Sequence, residues 1–86
     1  MTNAEIGQRV YAVLAAELAE DADGLHELLA PLDRDELDFV LTGVLSTVAG
    51  LLVSDAKQAG HGDPRAAALA TVRGMALRAA DEEGGR

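Results

Sequence analysis

Hydrophobic positions recur along most of the chain every three or four residues, which is the spacing of one face of an α-helix. The first such segment begins after Thr2. Thr2 and Glu5 are three residues apart, a spacing that is typical of a helix capping box. We therefore predict a first helix from Ala4 to Ala19. Its apolar arc comprises Ile6, Val10, Tyr11, Val13, Leu14 and Leu18. No alternating β-branched runs joined by hairpin turns are present, so the pattern predicts an all-α fold.

A short second helix is predicted between two breaks in the pattern. Residues 20–24 form an acidic turn, and Pro31 ends the helix because proline has no N–H for the hydrogen-bond ladder. The predicted helix runs from Leu25 to Ala30. Its expected core contacts are Leu25, Leu28, Leu29 and Leu32.

Two further helices complete the chain. Asp33 and Glu36 repeat the capping-box spacing, and the helix that they open is expected to end near Gly60. Asp63 as N-cap and Pro64 at the first helical position open a fourth helix, which we predict to reach about Ala80. We thus expect one helical domain over residues 1–80, a small bundle of three long helices and one short helix. Residues 81–86 are predicted to be a flexible acidic and glycine-containing tail.

The third helix carries no charged residue from Phe39 to Ser54. Such a helix is buried on all sides or lies in lipid. Sixteen residues rise roughly 24 Å, short of the ~30 Å hydrocarbon core, and Asp38 and Asp55 flank the segment, so we do not expect a membrane span. One side of the helix is bulky: Leu37, Val40, Leu41, Val44, Leu45, Val48, Leu51 and Leu52. The other side is small: Gly43, Ser46, Thr47, Gly50 and Ser54.

The small side of the third helix allows another helix to approach closely. Either the fourth helix of the same chain fills this space, or a second copy of the chain does. We favour a homodimer, since a chain this short buries only about 60 % of its unfolded surface and has no cysteine for a disulfide. The residues predicted at the dimer interface are Gly43, Thr47, Gly50, Ser54, Ala70 and Gly74.

Negative charge is concentrated in one part of the sequence. The chain has a net charge of −8, and residues 17–38 contain nine acidic side chains against Arg34. This segment is either a solvated surface that keeps the protein soluble or a docking surface for a basic partner protein. An alternative is a charge mimic that inhibits a nucleic-acid-binding protein. The predicted docking residues are Glu20, Asp21, Asp23, Glu27, Asp33, Asp35 and Asp38.

No catalytic, cofactor-binding or metal-binding site is predicted, and we expect a protein that is not an enzyme. His26 and His61 are interpreted as surface and loop residues, and Asp21-x-Asp23-Gly24 lacks the remaining ligands of a calcium loop. The acidic balance argues against direct binding to nucleic acid or to anionic membranes. The first residues carry no basic run of a signal peptide, so we expect a cytoplasmic protein.

The four residues Asp35-Glu36-Leu37-Asp38 open a helix in a small acidic chain and resemble the Asp-Ser-Leu-Asp signature of acyl carrier proteins. In that family the serine bears phosphopantetheine, and here Glu36 stands in its place, so no prosthetic group could attach. The long uncharged helix also departs from that family. The resemblance implies, as a second alternative, a carrier-like or enzyme-accessory subunit.

Overall fold

Four α-helices follow one another in the computed structural model, which describes the backbone of residues 1–84 and the exposure of residues 1–82. They are α1 (Asn3–Leu18), α2 (Ala22–Leu29), α3 (Arg34–Gln58) and α4 (Pro64–Gly84). The described residues contain no β-strand. The predicted all-α class is confirmed, and so is the order of three long helices and one short helix.

The starts of α1 and α3 are held by the predicted caps. The Thr2 hydroxyl accepts a hydrogen bond from the Glu5 N–H at 3.2 Å. The Asp33 carboxylate accepts from the Glu36 N–H at 2.8 Å, while the Glu36 carboxylate accepts from the Asp33 N–H at 3.1 Å. This reciprocal pair is a complete capping box, which satisfies two backbone donors that the helix itself leaves without partners.

The bounds of α2 and α4 differ from those predicted. The Asp21 carboxylate accepts from the Gly24 N–H at 2.9 Å, so α2 begins at Ala22, inside the segment predicted to be a turn. Asp63 caps α4 as predicted, at 3.1 Å from the Ala66 nitrogen. The helix then continues to Gly84, through four residues assigned to the predicted tail. The remaining two residues of that tail, 85 and 86, lie outside the described residues.

Both α1 and α3 end in the same kind of C-terminal turn. After α1, the Asp21 N–H donates to the Ala16 carbonyl at 2.9 Å, and Glu20 has a φ of 56°. After α3, the His61 N–H donates to the Ala56 carbonyl at 3.2 Å, and Gly60 has a φ of 90°. These are Schellman motifs, in which the residue after the cap adopts a left-handed conformation.

The chain divides into two compact units, residues 1–48 and the residues from 49 onward. The first unit contains α1, α2 and the N-terminal part of α3, and its core consists of Val10, Val13 and Val40. Half-buried side chains surround this core: Ile6, Leu14, Leu25, Leu28, Leu29, Leu32 and Val44. The contacts predicted for the four leucines of the second helix are therefore present.

Arg9 joins α1 to α2 within the first unit. Its guanidinium donates a hydrogen bond to the Leu28 carbonyl at 3.0 Å, in the last turn of α2. That turn carries carbonyl groups without helical partners and the negative end of the helix dipole. The half-buried Arg9 therefore stabilises the end of a helix that is only eight residues long.

The second unit contains the C-terminal part of α3 and all of α4. Ala56 is its one buried residue among those whose exposure is described. Leu52, Val53, Ala67 and Ala68 are half-buried. A helix pair with so little buried apolar surface gains little from the hydrophobic effect.

The apolar sides of α1 and α3 are less covered than the sequence pattern predicts. Tyr11 and Leu18 share the predicted arc of α1, but both are exposed. On the bulky side of α3, Val40 is fully buried, whereas four other members are exposed: Leu41, Leu45, Val48 and Leu51. Within this chain, α3 is therefore not buried on all sides.

Candidate interaction surfaces

Gly43 was predicted at the dimer interface, but it packs against α1 of its own chain. A Cβ atom placed on Gly43 would lie 2.6 Å from Cγ2 of Val10, a contact that no real Cβ makes without displacement. The close approach that the small side of α3 allows is therefore made by α1 at this position. At Gly43, α1 thus occupies the space that the sequence analysis assigned to a second chain.

The other five predicted interface residues fall in both units. Thr47 is half-buried in the first unit, where its hydroxyl donates to the Gly43 carbonyl of the same helix at 2.9 Å. Gly50, Ser54 and Ala70 are exposed in the second unit, and Gly74 there is half-buried. Space around a Cβ at Gly50 is open. These positions remain available to a second chain in that unit.

Both α3 and α4 expose several large hydrophobic side chains. Leu45 is 69 % exposed in the first unit, and Leu77 is 68 % exposed in the second. The further exposed members on these helices are Phe39, Leu41, Val48, Leu51, Leu69, Val72 and Met75. In each unit, several large hydrophobic side chains are thus left exposed, and exposed apolar surface is typical of interaction sites.

An apolar groove lies between α3 and α4 in the second unit. Its volume is about 330 Å³, and its lining is almost entirely hydrophobic. The lining residues are Ala49, Leu52, Val53, Arg65, Ala68, Leu69 and Val72. A groove with one cation and no anion at its wall is suited to an aliphatic side chain from another molecule.

The seven predicted docking residues all have exposed side chains in the first unit. Two of them also cap helices, since Asp21 binds the Gly24 N–H and Asp33 binds the Glu36 N–H. The remaining five carry no such backbone hydrogen bond: Glu20, Asp23, Glu27, Asp35 and Asp38. Glu36, which replaces the serine of the carrier-protein signature, is itself engaged in the α3 capping box.

A cleft at the junction of α1 and α2 combines acidic and apolar groups. Its volume is about 450 Å³, and its lining includes Glu17, Glu20, Leu25 and Leu29. His26 and Ala22 complete the lining. A second cleft of about 350 Å³ at the start of α3 is lined by Arg34, Asp35, Leu37, Asp38 and Leu41. Both clefts place carboxylates beside aliphatic side chains.

The helix α3 is long and apolar enough, by length and composition, to cross a membrane. The core helix of a soluble protein passes the same test. Here Val40 is fully buried against α1 and α2, and the exposed charges of Asp38 and Asp55 lie at either end of the apolar segment. Only 6 % of the 18-residue apolar window of α3 is buried, so most of this window lacks the covering that a core helix has.

Within residues 1–84, no three histidine or carboxylate side chains converge as metal ligands would. Comparison with protein-family models, with curated proteins and with solved structures found no match.

Proposed function

We propose that this chain is a non-enzymatic helical protein that acts through protein–protein interactions as a homodimer. The observation that carries the proposal is the exposed apolar surface of α3 and α4. In the first unit, Phe39, Leu41, Leu45 and Val48 of α3 are exposed, and in the second unit Leu69, Val72, Met75 and Leu77 of α4 are exposed.

Obligate dimers bury apolar surfaces of this kind. Such interfaces cover about 2,000–5,000 Å² in total, or roughly 1,000–2,500 Å² on each chain, and they are more hydrophobic than transient ones. A second copy is always present at the concentration of the protein itself. Closed twofold symmetry is the commonest arrangement of soluble oligomers.

The mass of the protein in solution tests the homodimer. We expect light scattering after size exclusion, at about 10 µM protein, to give about twice 8.9 kDa. A chain that stays at 8.9 kDa at that concentration would contradict the proposal. Flotation of the same monomer with neutral phosphatidylcholine vesicles would instead identify lipid as the covering of α3.

The acidic surface of the first unit is the proposed docking site for a basic partner. Residues 1–48 contain ten acidic and two basic side chains, a net charge of −8, while the residues from 49 onward are balanced at five each. A lysine or arginine has an aliphatic stem and a charged head. The cleft between α1 and α2 has leucines for the stem and Glu17 and Glu20 for the head.

A charge mimic of nucleic acid is the second candidate, and the same concentration of charge favours it. Its target would be a protein with a basic nucleic-acid-binding surface. The two candidates differ in whether the partner can still bind nucleic acid. A mimic competes with DNA or RNA for one site on its target, whereas a docked partner leaves that site open. Displacement of duplex DNA from a captured partner would support the mimic, and a partner that binds both at once would support docking alone.

A triple variant tests the docking surface without disturbing the helix caps. We expect Asp23→Asn, Asp35→Asn and Asp38→Asn together to weaken binding of a fluorescent octalysine peptide about tenfold at low salt. The control variant changes Glu5→Gln, Asp55→Asn and Glu82→Gln and has the same net charge. If both variants weaken binding equally, the effect comes from net charge and the docking surface is refuted.

A further inference from the structure

Helix α4 has no core of its own in this chain. No residue from 64 to 82 is buried, and Leu69, Val72, Met75 and Leu77 are exposed. Helices in proteins derive most of their stability from packing of an apolar side rather than from intrinsic propensity. The first unit, in contrast, has a buried cluster of three valines. The second unit is therefore the part of the chain that most needs a partner.

The charges of the second unit favour another copy of itself as that partner. Arg65 lies in the first turn of α4, and Asp81 and Glu82 lie near its C-terminal end. When two copies of α4 run antiparallel, the basic start of each lies beside the acidic end of the other. Because this unit has no net charge, long-range attraction favours neither a strongly basic nor a strongly acidic partner.

One register pairs the charges at the two ends of α4 and its exposed leucines. In an antiparallel pair, the numbers of residues that lie opposite each other always add up to the same sum. Arg65 opposite Asp81 and Leu69 opposite Leu77 share one such sum. The twofold axis then passes near Arg73, so the two Arg73 side chains lie opposite each other, and the two Arg65–Asp81 pairs offset this like-charge contact. Leu77 is exposed, while Leu69 lines the apolar groove, so the leucine of each copy meets the groove of the other.

We infer that two copies of this chain meet through the second unit, with their α4 helices antiparallel and Leu77 of each at the α3–α4 groove of the other. This inference rests on the proposed homodimer and adds the surface, orientation and register. The interface is isologous, since the same groove and the same leucine are used twice. Gly50, Ser54, Ala70 and Gly74, predicted from the sequence, belong to this same unit.

Spin labels can test the orientation because the chain contains no native cysteine. In the full chain, a label at Arg73→Cys is expected to give a short distance by double electron–electron resonance. Labels at Ala66→Cys should lie about 21 Å apart along the helix axis, because each is seven residues from the twofold axis. Mixing chains labelled at Ala66→Cys with chains labelled at Ala80→Cys should restore a short distance.

The alternatives give different distances. A parallel pair would make the 66–66 and 73–73 distances equal and would overturn the orientation. A dimer with short distances between labels at Leu45→Cys and long ones at position 73 would place the interface in the first unit and refute the inference alone. A chain without any dipolar coupling that sediments as a monomer would refute the homodimer as well.

Charge reversal tests the register independently. We expect Arg65→Glu to weaken dimerisation about tenfold at low salt, because two symmetry-related attractions become repulsions. Adding Asp81→Arg to the same chain should restore the wild-type dissociation constant. Arg78→Glu is the control, since its opposite position in this register is Ala68, and we expect a change of less than about threefold. Failure of the double variant to recover would overturn the register.

Discussion

At the level of single residues, Glu20 occupies a conformation that side chains rarely adopt. Its φ of 56° lies in the left-handed region, where a Cβ meets the following carbonyl and glycine is preferred. Gly60 holds the same position after α3, with a φ of 90°. The chain thus contains the same C-terminal turn with and without the favoured glycine, which makes the two positions a natural pair for comparison.

We predict that Glu20→Gly raises the free energy of unfolding by about 0.5–1 kcal/mol, because it relieves the left-handed strain at the end of α1. Urea denaturation followed by circular dichroism would measure the change. The glycine also removes a carboxylate from the cleft between α1 and α2. A variant that is more stable and yet binds octalysine more weakly would separate folding from docking at this residue.

The reverse change is expected to be unfavourable at the end of α3. Gly60→Ala should lower the free energy of unfolding by about 1 kcal/mol, since alanine adopts a positive φ only at a cost. Space around the new Cβ is open, so no steric contact contributes. A variant as stable as the wild type would show that the turn adopts another conformation in solution.

At the level of helices, two glycines of α3 that look equivalent in the sequence have different surroundings. Gly43 and Gly50 are seven residues apart on the small side of the helix. Val10 of α1 lies against Gly43, whereas Gly50 is open. Val10 is itself buried and is β-branched, so it cannot easily move away from an added methyl group.

We predict opposite effects of alanine at these two positions. Gly50→Ala should stabilise α3 by up to about 1 kcal/mol, the difference in helix propensity between glycine and alanine. Gly43→Ala should destabilise the protein by about 1–2 kcal/mol, because overpacking against Val10 exceeds the same gain in propensity. Thermal unfolding of the two variants at one protein concentration provides the measurement. Equal stabilisation by both changes would contradict the packing of α1 on α3.

The helix starts could be predicted from the sequence because their signals are local. Asp33 with Glu36, and Asp63 with Pro64, each act within one turn of the chain, and the structure contains both caps. The start of α2 was harder to predict from the sequence, since an acidic stretch such as residues 20–24 is typical of turns and of N-caps alike. In the structure, Asp21 acts as the cap.

The candidate surfaces were less predictable because they depend on how much of each helix the rest of the chain covers. A helical projection groups Val40 with Leu45 as one bulky side, yet Val40 is fully buried and Leu45 is largely exposed. The projection likewise assigns Gly43 to a free small side, although α1 occupies it. Periodicity identifies which residues are apolar, whereas the number of neighbouring elements decides which become buried.

At the level of the whole molecule, charge and buried core occur together in the first unit. That unit contains the three buried valines and all of the net charge of −8. The second unit is neutral and has Ala56 as its one buried residue within the described part. Self-repulsion therefore acts on the unit that has a core, while the unit without one is free to associate.

This division predicts that the two units respond differently to dilution. A structure stabilised by association loses stability as the concentration falls, whereas one with its own core does not. We expect backbone amides of α4 to exchange with deuterium faster at 1 µM than at 100 µM protein. Amides of α1 and of α3 near Val40 should exchange at the same rate at both concentrations.

Hydrogen-exchange mass spectrometry of the intact chain would measure both units in one experiment. The α1 peptides serve as the internal control, because any general change in solution conditions would alter their exchange too. If α4 is equally protected at both concentrations while the protein is monomeric, the second unit is stable without a partner. If α1 and α4 lose protection together on dilution, the first unit also depends on the dimer, and the association extends over both.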